Sequence, residues 1–327
     1  MLVTFNAAPK RYAGMTLIEL MVALAIGSFL MIGAVTVFMQ SRTTFRITES
    51  VSRLQENARF ALDAIEPDIR MASYYGLTSR GFMIENAAGA LEPPLAIAPG
   101  LCGPNWTVDF DNPVAGTNNG YVWACAGNSP NLNSDTLVVR RVREDVVAPA
   151  ALLANRLYVQ SFRGTPGLIF QGPGTPPGFD PDFITEFHEL TVSGYYVSAP
   201  AGAVPMLRRW TLRGLALIDE EVLPGVEDLQ IQFGVDTDLP GTDDRGAVNL
   251  YVNANDPILT PGNPAFNDDF EILAVRIWLR VRAERAENGF TDTTNYVYAD
   301  QNVAAPGDGF RRVVVSKTIY LRNARRT

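Results

Sequence analysis

The stretch Lys10-Arg11-Tyr12-Ala13-Gly14-Met15-Thr16-Leu17-Ile18-Glu19-Leu20-Met21-Val22-Ala23 decides how this chain is organised. Two basic residues and a glycine stand before an apolar run, and no acidic residue occurs in the first eighteen positions. Residues 20–39 are twenty consecutive residues without a charge, enough to cross about 30 Å as a helix. Such a segment spans a membrane, and the positive-inside bias assigns its N-terminal side to the cytoplasm, so that the rest is exported. An ordinary secretory signal is cut after its apolar stretch, which discards the stretch. Here the small residue precedes it, so cleavage at that point leaves the anchor on the mature protein.

A basic leader, then Gly14, then Met15-Thr16-Leu17-Ile18-Glu19-Leu20-Met21-Val22 resembles the type III signal of prepilins over about fourteen positions. The resemblance implies that a membrane-embedded prepilin peptidase cuts between Gly14 and Met15 and methylates the new amine of Met15. Gly14 suits the role because a residue without a side chain lets a protease approach the backbone closely. Glu19 is the fifth residue of the chain so produced. An ionisable group in a spanning segment is costly unless it is paired or lies near the interface. The resemblance implies that Glu19 meets the methylated N-terminal amine of a neighbouring subunit, a contact better at fixing subunit register than at adding raw stability. Snorkelling toward the cytoplasmic headgroups is the plainer reading, and the two are compatible at different stages. Gly27 and Gly33, with Ala23, Ser28 and Ala34, line the helix with small side chains that allow close packing or simply reflect membrane-helix composition. No proline interrupts residues 15–66.

Across 327 residues, 47% are hydrophobic and 19% charged, a composition that builds a sizeable core and excludes global disorder. The formal charge of −8 becomes more negative by two when Lys10 and Arg11 leave with the leader, which argues against a nucleic-acid partner. Cys102 and Cys125, the only cysteines in a long exported chain, suit an oxidising compartment where a pair forms one disulfide. The bridge would close a loop of about 24 residues and stabilise it by roughly 3 kcal/mol.

Beyond the anchor, Ile47, Val51, Leu54, Ala58, Ala61, Ile65 and Ile69 recur at steps of three and four. This predicts one long helix from Thr16 to near Tyr74, its second half amphipathic, with Pro67 kinking it or ending its regular part. Residues 81–130, rich in Gly, Pro and Asn, read as a long ordered loop. The runs 136–142, 157–162, 190–197, 207–212, 229–235, 272–281 and 313–321 read as strands of a mainly antiparallel sheet. The expected fold is α+β and type IV pilin-like. Residues 1–14 form a leader, 15–39 the transmembrane and polymerisation helix, 40–75 its amphipathic continuation and 76–327 a periplasmic β-rich head.

Arg53-Leu54-Gln55-Glu56-Asn57-Ala58-Arg59-Phe60-Ala61, with Asp68-Ile69-Arg70-Met71-Ala72, resembles the segment after the anchor in PilW-type minor pilins. Members often continue with a Gly-Tyr and a Gly-Cys pair, whereas this chain has Ser73-Tyr74-Tyr75-Gly76-Leu77. Val226-Glu227-Asp228-Leu229-Gln230-Ile231-Gln232-Phe233-Gly234-Val235-Asp236-Thr237-Asp238 and the closing Tyr320-Leu321-Arg322-Asn323 resemble the same family.

Other chemistry finds little support. Residues 171–178 lack the Lys-Ser/Thr ending of a phosphate loop and read as a turn-rich linker. Asp236, Asp238, Asp243 and Asp244 with Gly241 hint at calcium, but Pro240 and Ala247 fall where an EF-hand needs ligands, so a solvated acidic turn is the better reading. His188, the only histidine, lacks a zincin partner and reads as a surface or strand-edge residue. Arg140, Arg141, Arg143, Arg276, Arg280, Arg282 and Arg285 read as salt-bridged exposed strand faces rather than a DNA-binding strip. No catalytic residue, metal site or cofactor is expected.

The resemblance implies a non-enzymatic subunit, single-pass in the inner membrane with its C-terminal domain in the periplasm and at the pilus tip after assembly. Its partners would be other minor pilins, the major pilin and the prepilin peptidase, and its service would be to pilus assembly, twitching motility and adhesion. Two alternatives stay open: a J-type pseudopilin of type II secretion, and a tip adhesin binding through residues 81–130 and 173–181.

Overall fold

The structure is a computed structural model and describes residues 14–78, 81–85, 102–103, 105–163, 166–173, 184–242 and 244–324. The leader therefore lies outside the described residues, apart from Gly14, as do most of residues 171–178 and Asp243. Contacts divide the chain into two units, Met1–Ser52 and Arg53–Thr327. One α-helix, α1 (Leu17–Arg70), contributes to both.

α1 is the only described helix long and apolar enough to cross a membrane. It ends three residues beyond Pro67, which sits in its last turn. Proline there removes a backbone donor, and the chain leaves through the turn 71–73. Within the second unit, Leu54, Ala58, Ala61, Leu62, Ile65, Asp68 and Ile69 are buried, the stripe that the three-and-four spacing predicts.

The strands are β1 (Ile84–Glu85), β2 (Val114–Thr117), β3 (Thr136–Val146), β4 (Leu157–Phe162), β5 (Gly167–Gln171), β6 (Thr185–Ser198), β7 (Met206–Arg213), β8 (Ala216–Pro224), β9 (Val226–Asp236), β10 (Leu250–Asn253), β11 (Glu271–Arg282), β12 (Tyr296–Tyr298), β13 (Gln301–Val303) and β14 (Arg312–Tyr320). The fold is α+β, and every strand pair is antiparallel except β1 with β5. All seven expected strands are present, most of them longer than the apolar run that marked them. β8 was not foreseen, since its sequence Ala-Leu-Ile-Asp-Glu-Glu-Val-Leu-Pro is acidic and it lies half-exposed beside β7.

The long strand β6 organises the eight-stranded sheet. One of its edges pairs with β3, while the other pairs first with β4 and then with β7. Two hairpins, β4–β5 and β7–β8, thus lie end to end along one strand. The chain then passes to a second sheet, ordered β10-β9-β11-β14, at Gly225. That residue has φ +90°, and a Cβ on it would stand 2.8 Å from the Arg282 carbonyl oxygen, so only glycine fits the crossing.

The eight-stranded sheet is covered on both faces. Leu137, Val139, Tyr195 and Val197 join the helix stripe and the inner face of the second sheet, Leu229, Ile231, Val275 and Ile277 among them, in one core. The alternate residues Val138, Val142, Leu190 and Val192 pack instead with Trp106, Val108, Phe110, Cys102 and Cys125. Two covered faces explain the near-continuous apolar character of these strands.

Candidate assembly site

Thr16 and Glu19 form the start of the helix. The Glu19 amide donates to Thr16 Oγ1 at 3.3 Å, and the Thr16 amide approaches Glu19 Oε2 at 3.5 Å. This reciprocal pair is a capping box, in which a threonine and a glutamate three residues apart satisfy two amides that a helix N-terminus leaves without partners. The pattern Thr-x-x-Glu was legible at residues 16–19, and it gives Glu19 a local role beside the one that the resemblance implies. Gly14 and Met15 stand exposed just before the helix, and nothing approaches within 4 Å of the position a Gly14 side chain would take.

From Leu20 onward the helix presents apolar side chains to every side: Phe29 is 76% exposed, Leu30 70% and Phe38 62%. Gly27 and Gly33 have nothing of this chain against them. The polar side chains of this stretch turn inward on the helix itself. Ser28 Oγ donates to the Ala25 carbonyl at 2.8 Å and Thr36 Oγ1 to the Ile32 carbonyl at 2.8 Å. A segment that satisfies its own hydroxyls is suited to a medium without water. Arg42, stacked on Phe38 at 5.8 Å, is the first charge after Glu19.

In the head, Cys102 and Cys125 are joined in a disulfide. The bridged segment packs on β6, where Gly194 leaves room for Trp106 and Trp123; a Cβ there would lie 2.8 Å from Trp106. Tyr121 donates to the Cys125 carbonyl at 2.8 Å and accepts from the Trp210 indole at 3.0 Å.

Residues 194–323 match the family described as Type IV Pilus-assembly protein W, and residues 9–35 match the Prokaryotic N-terminal methylation motif. The chain matches a PilW-type pilin with a prepilin-type signal. The first of these matches starts inside β6 and runs past β14; the second covers the Gly14–Met15 junction, the capping box and most of the apolar stretch. No curated protein and no solved structure gives a significant match. This is a type IV pilus-related, pilin-like protein with a long N-terminal apolar helix.

Several polar residues of the head stand elsewhere than their sequence context suggested. His188 is fully buried in β6 rather than at a surface or edge. Its Nδ1 lies 2.9 Å from the Arg143 carbonyl and its Nε2 3.1 Å from Glu186. Gly76 makes the room, since a Cβ there would come within 2.8 Å of the imidazole. Arg140 is also buried, donating from Nε to the Trp106 carbonyl at 2.6 Å. Neighbouring residues of a strand point to opposite faces; both faces being covered here, Arg140 turns to the loop side and Arg141 to the helix, where it pairs with Asp68 at 2.7 Å. Arg143, Arg280 and Arg282 do form ion pairs, with Glu189 and Glu227.

The acidic turn is less solvated than expected. Asp236 is buried and accepts hydrogen bonds from the amides of Asp238 and Gly246, while Asp238 accepts from Asn249. Among the described residues no cluster of three His, Cys, Asp or Glu could hold a metal ion.

Proposed function

We propose that this chain is a minor pilin of type IV pilus biogenesis, cut between Gly14 and Met15, methylated at Met15 and drawn through Glu19 into an inner-membrane complex that primes the pilus tip. The observation that carries the reading is a helix exposing an uncharged apolar surface on every side, with a lone carboxylate in its first turn. Such a surface needs lipid or neighbouring helices to cover it, and a carboxylate there needs a cation. The methylated amine of a neighbouring subunit supplies one. The head faces the periplasm in this reading, where the disulfide is stable. A bulky head suits a tip better than a repeating shaft, and the work is assembly rather than catalysis.

The test is the intact mass of the membrane-extracted protein, together with co-purification of other pilins by Glu19→Ala and Glu19→Gln variants. The reading expects a mature chain starting at methylated Met15, with both variants cut but not assembled. Glutamine keeps the capping box and loses the charge, so assembly by Glu19→Gln alone would show that Glu19 acts only on its own helix. A chain retaining Lys10 and Arg11 would sink the reading.

A further inference from the structure

His188 faces an acceptor with each ring nitrogen. Nδ1 lies 2.9 Å from the Arg143 carbonyl oxygen and Nε2 lies 3.1 Å from Glu186 Oε2. A neutral imidazole has one N–H and one bare nitrogen, and a carbonyl oxygen only accepts. With the Nδ1 proton given to Arg143, a neutral ring would turn its Nε2 lone pair against the carboxylate. The contact is a hydrogen bond only when one more proton is present, on Nε2 or on Glu186. Imidazole is the stronger base of the two by about two pH units, which assigns that proton to Nε2. The His188 side chain has no exposed surface, so bulk solvent does not supply a donor in its place.

Four segments meet at this ring. β6 supplies His188 and Glu186, and β3 supplies the Arg143 carbonyl at the point where its pairing with β6 is interrupted, between Val142 and Val146. The turn after α1 sets the Tyr74 ring edge-on to the imidazole at 5.7 Å, and Gly76 lies against it. From β4, the Ser161 hydroxyl accepts from the Leu77 amide at 3.0 Å and donates to the Glu186 carbonyl at 3.3 Å. Glu186 and Glu144 make the surroundings acidic: burial first, and then these two carboxylates, push the Tyr74 hydroxyl above its ordinary pKa. Arg143 and Arg156 turn their charges to Glu189. Negative neighbours favour a cationic ring, while burial opposes it.

We propose that His188 is an imidazolium at neutral pH, ion-paired with Glu186, and that its second proton latches the break in β3 and the turn at residues 74–77 onto β6. A shielded ion pair of this kind fixes geometry more than it adds stability, and removing one charge leaves the other without a partner. Between about pH 6.5, where a free imidazole loses its proton, and the higher midpoint of the folded ring, only the folded state holds the proton. The latch is therefore closed below that window and opens as pH rises through it, when the Nε2 lone pair comes to face the carboxylate. Because the turn carries the chain out of α1, the seating of the helix end becomes dependent on proton concentration. The inference stands apart from the pilus reading, since it rests on the head alone.

His188 is the only histidine of the chain, so the full-length protein in detergent, labelled with isotopic histidine, gives a single imidazole signal by NMR. Its ring nitrogen and carbon shifts are followed from about pH 5 to 10, beside those of the same protein unfolded in urea. The expected result is a doubly protonated ring at neutral pH, with a midpoint at least about one pH unit above that in urea. Glu186→Gln should give a neutral ring at neutral pH, because the glutamine amide donates to a bare Nε2. Hydrogen exchange, corrected for its intrinsic pH dependence, should show protection of amides 74–77 and 142–147 falling at least tenfold through the native midpoint, while β9 and β11 keep theirs. A neutral ring at neutral pH, or a midpoint equal to that in urea, would overturn the imidazolium; unchanged protection through the midpoint would overturn the latch. Both are read on the native chain, so the outcome does not depend on the variant folding.

Discussion

Asp68 holds the end of the helix to the eight-stranded sheet. It accepts from Arg141 at 2.7 Å and from the Tyr195 hydroxyl at 2.7 Å, and it is buried. Burial pushes its pKa up, but the Arg141 charge and hydrogen bonds from Ser193, Arg141 and Tyr195 outweigh that and leave it below the ordinary value. Its contribution is therefore present above the unfolded pKa near 4 and is lost as pH falls through the folded one. Asp68→Asn should cost about 3 kcal/mol, because it leaves the largely shielded Arg141 charge without its partner; chemical denaturation at neutral pH measures it. Asp135 behaves oppositely. Its carboxylate accepts from the Asn119 and Ile231 amides, tying the two sheets together, yet burial pushes its pKa up to about 7. Between pH 4 and about 7 the folded state binds a proton that the unfolded chain does not, so this group's stabilisation is complete at low pH and lost as pH rises. Relative to the native chain, Asp135→Asn should gain stability as pH goes from 4 to 7, by at most about 4 kcal/mol. A denaturation series across that range checks the sign.

At the scale of elements, the second half of α1 depends on a narrow stripe. Ile65 is fully buried in the core that the helix shares with both sheets. Ile65→Ala should destabilise the head by about 2–5 kcal/mol through lost burial and the cavity left behind, read as a fall in denaturation midpoint. Its neighbour Asp63 is half-exposed and reaches Lys317 of β14 at 3.6 Å, and Asp63→Asn should change stability by less than 1 kcal/mol. The helix stripe was legible because Leu54, Ala58, Ala61, Ile65 and Ile69 recur at helical spacing. The short strands β2, β10, β12 and β13 were not, because strands of three or four residues among turns carry too little periodicity to stand out.

The described residues form two large cores on opposite faces of the eight-stranded sheet, beside a smaller cluster of Leu152, Tyr158, Phe170 and Phe187, and the disulfide belongs to the second large core. Reducing Cys102–Cys125, which are 23 residues apart, should cost roughly 3 kcal/mol. Amide exchange should accelerate mainly in residues 105–125, while the core beneath α1 keeps its protection, and hydrogen-exchange mass spectrometry distinguishes this from global loosening. Sequence alone determined the long apolar helix, the cysteine pair and the α+β class, because each rests on local order: an uncharged run, a spacing, a period. Only the tertiary structure decided that His188 and Arg140 are buried and that β6 carries two hairpins on one edge. These depend on which face of a strand is covered, and that is set by segments far away in the chain, such as the bridged loop that closes over the eight-stranded sheet.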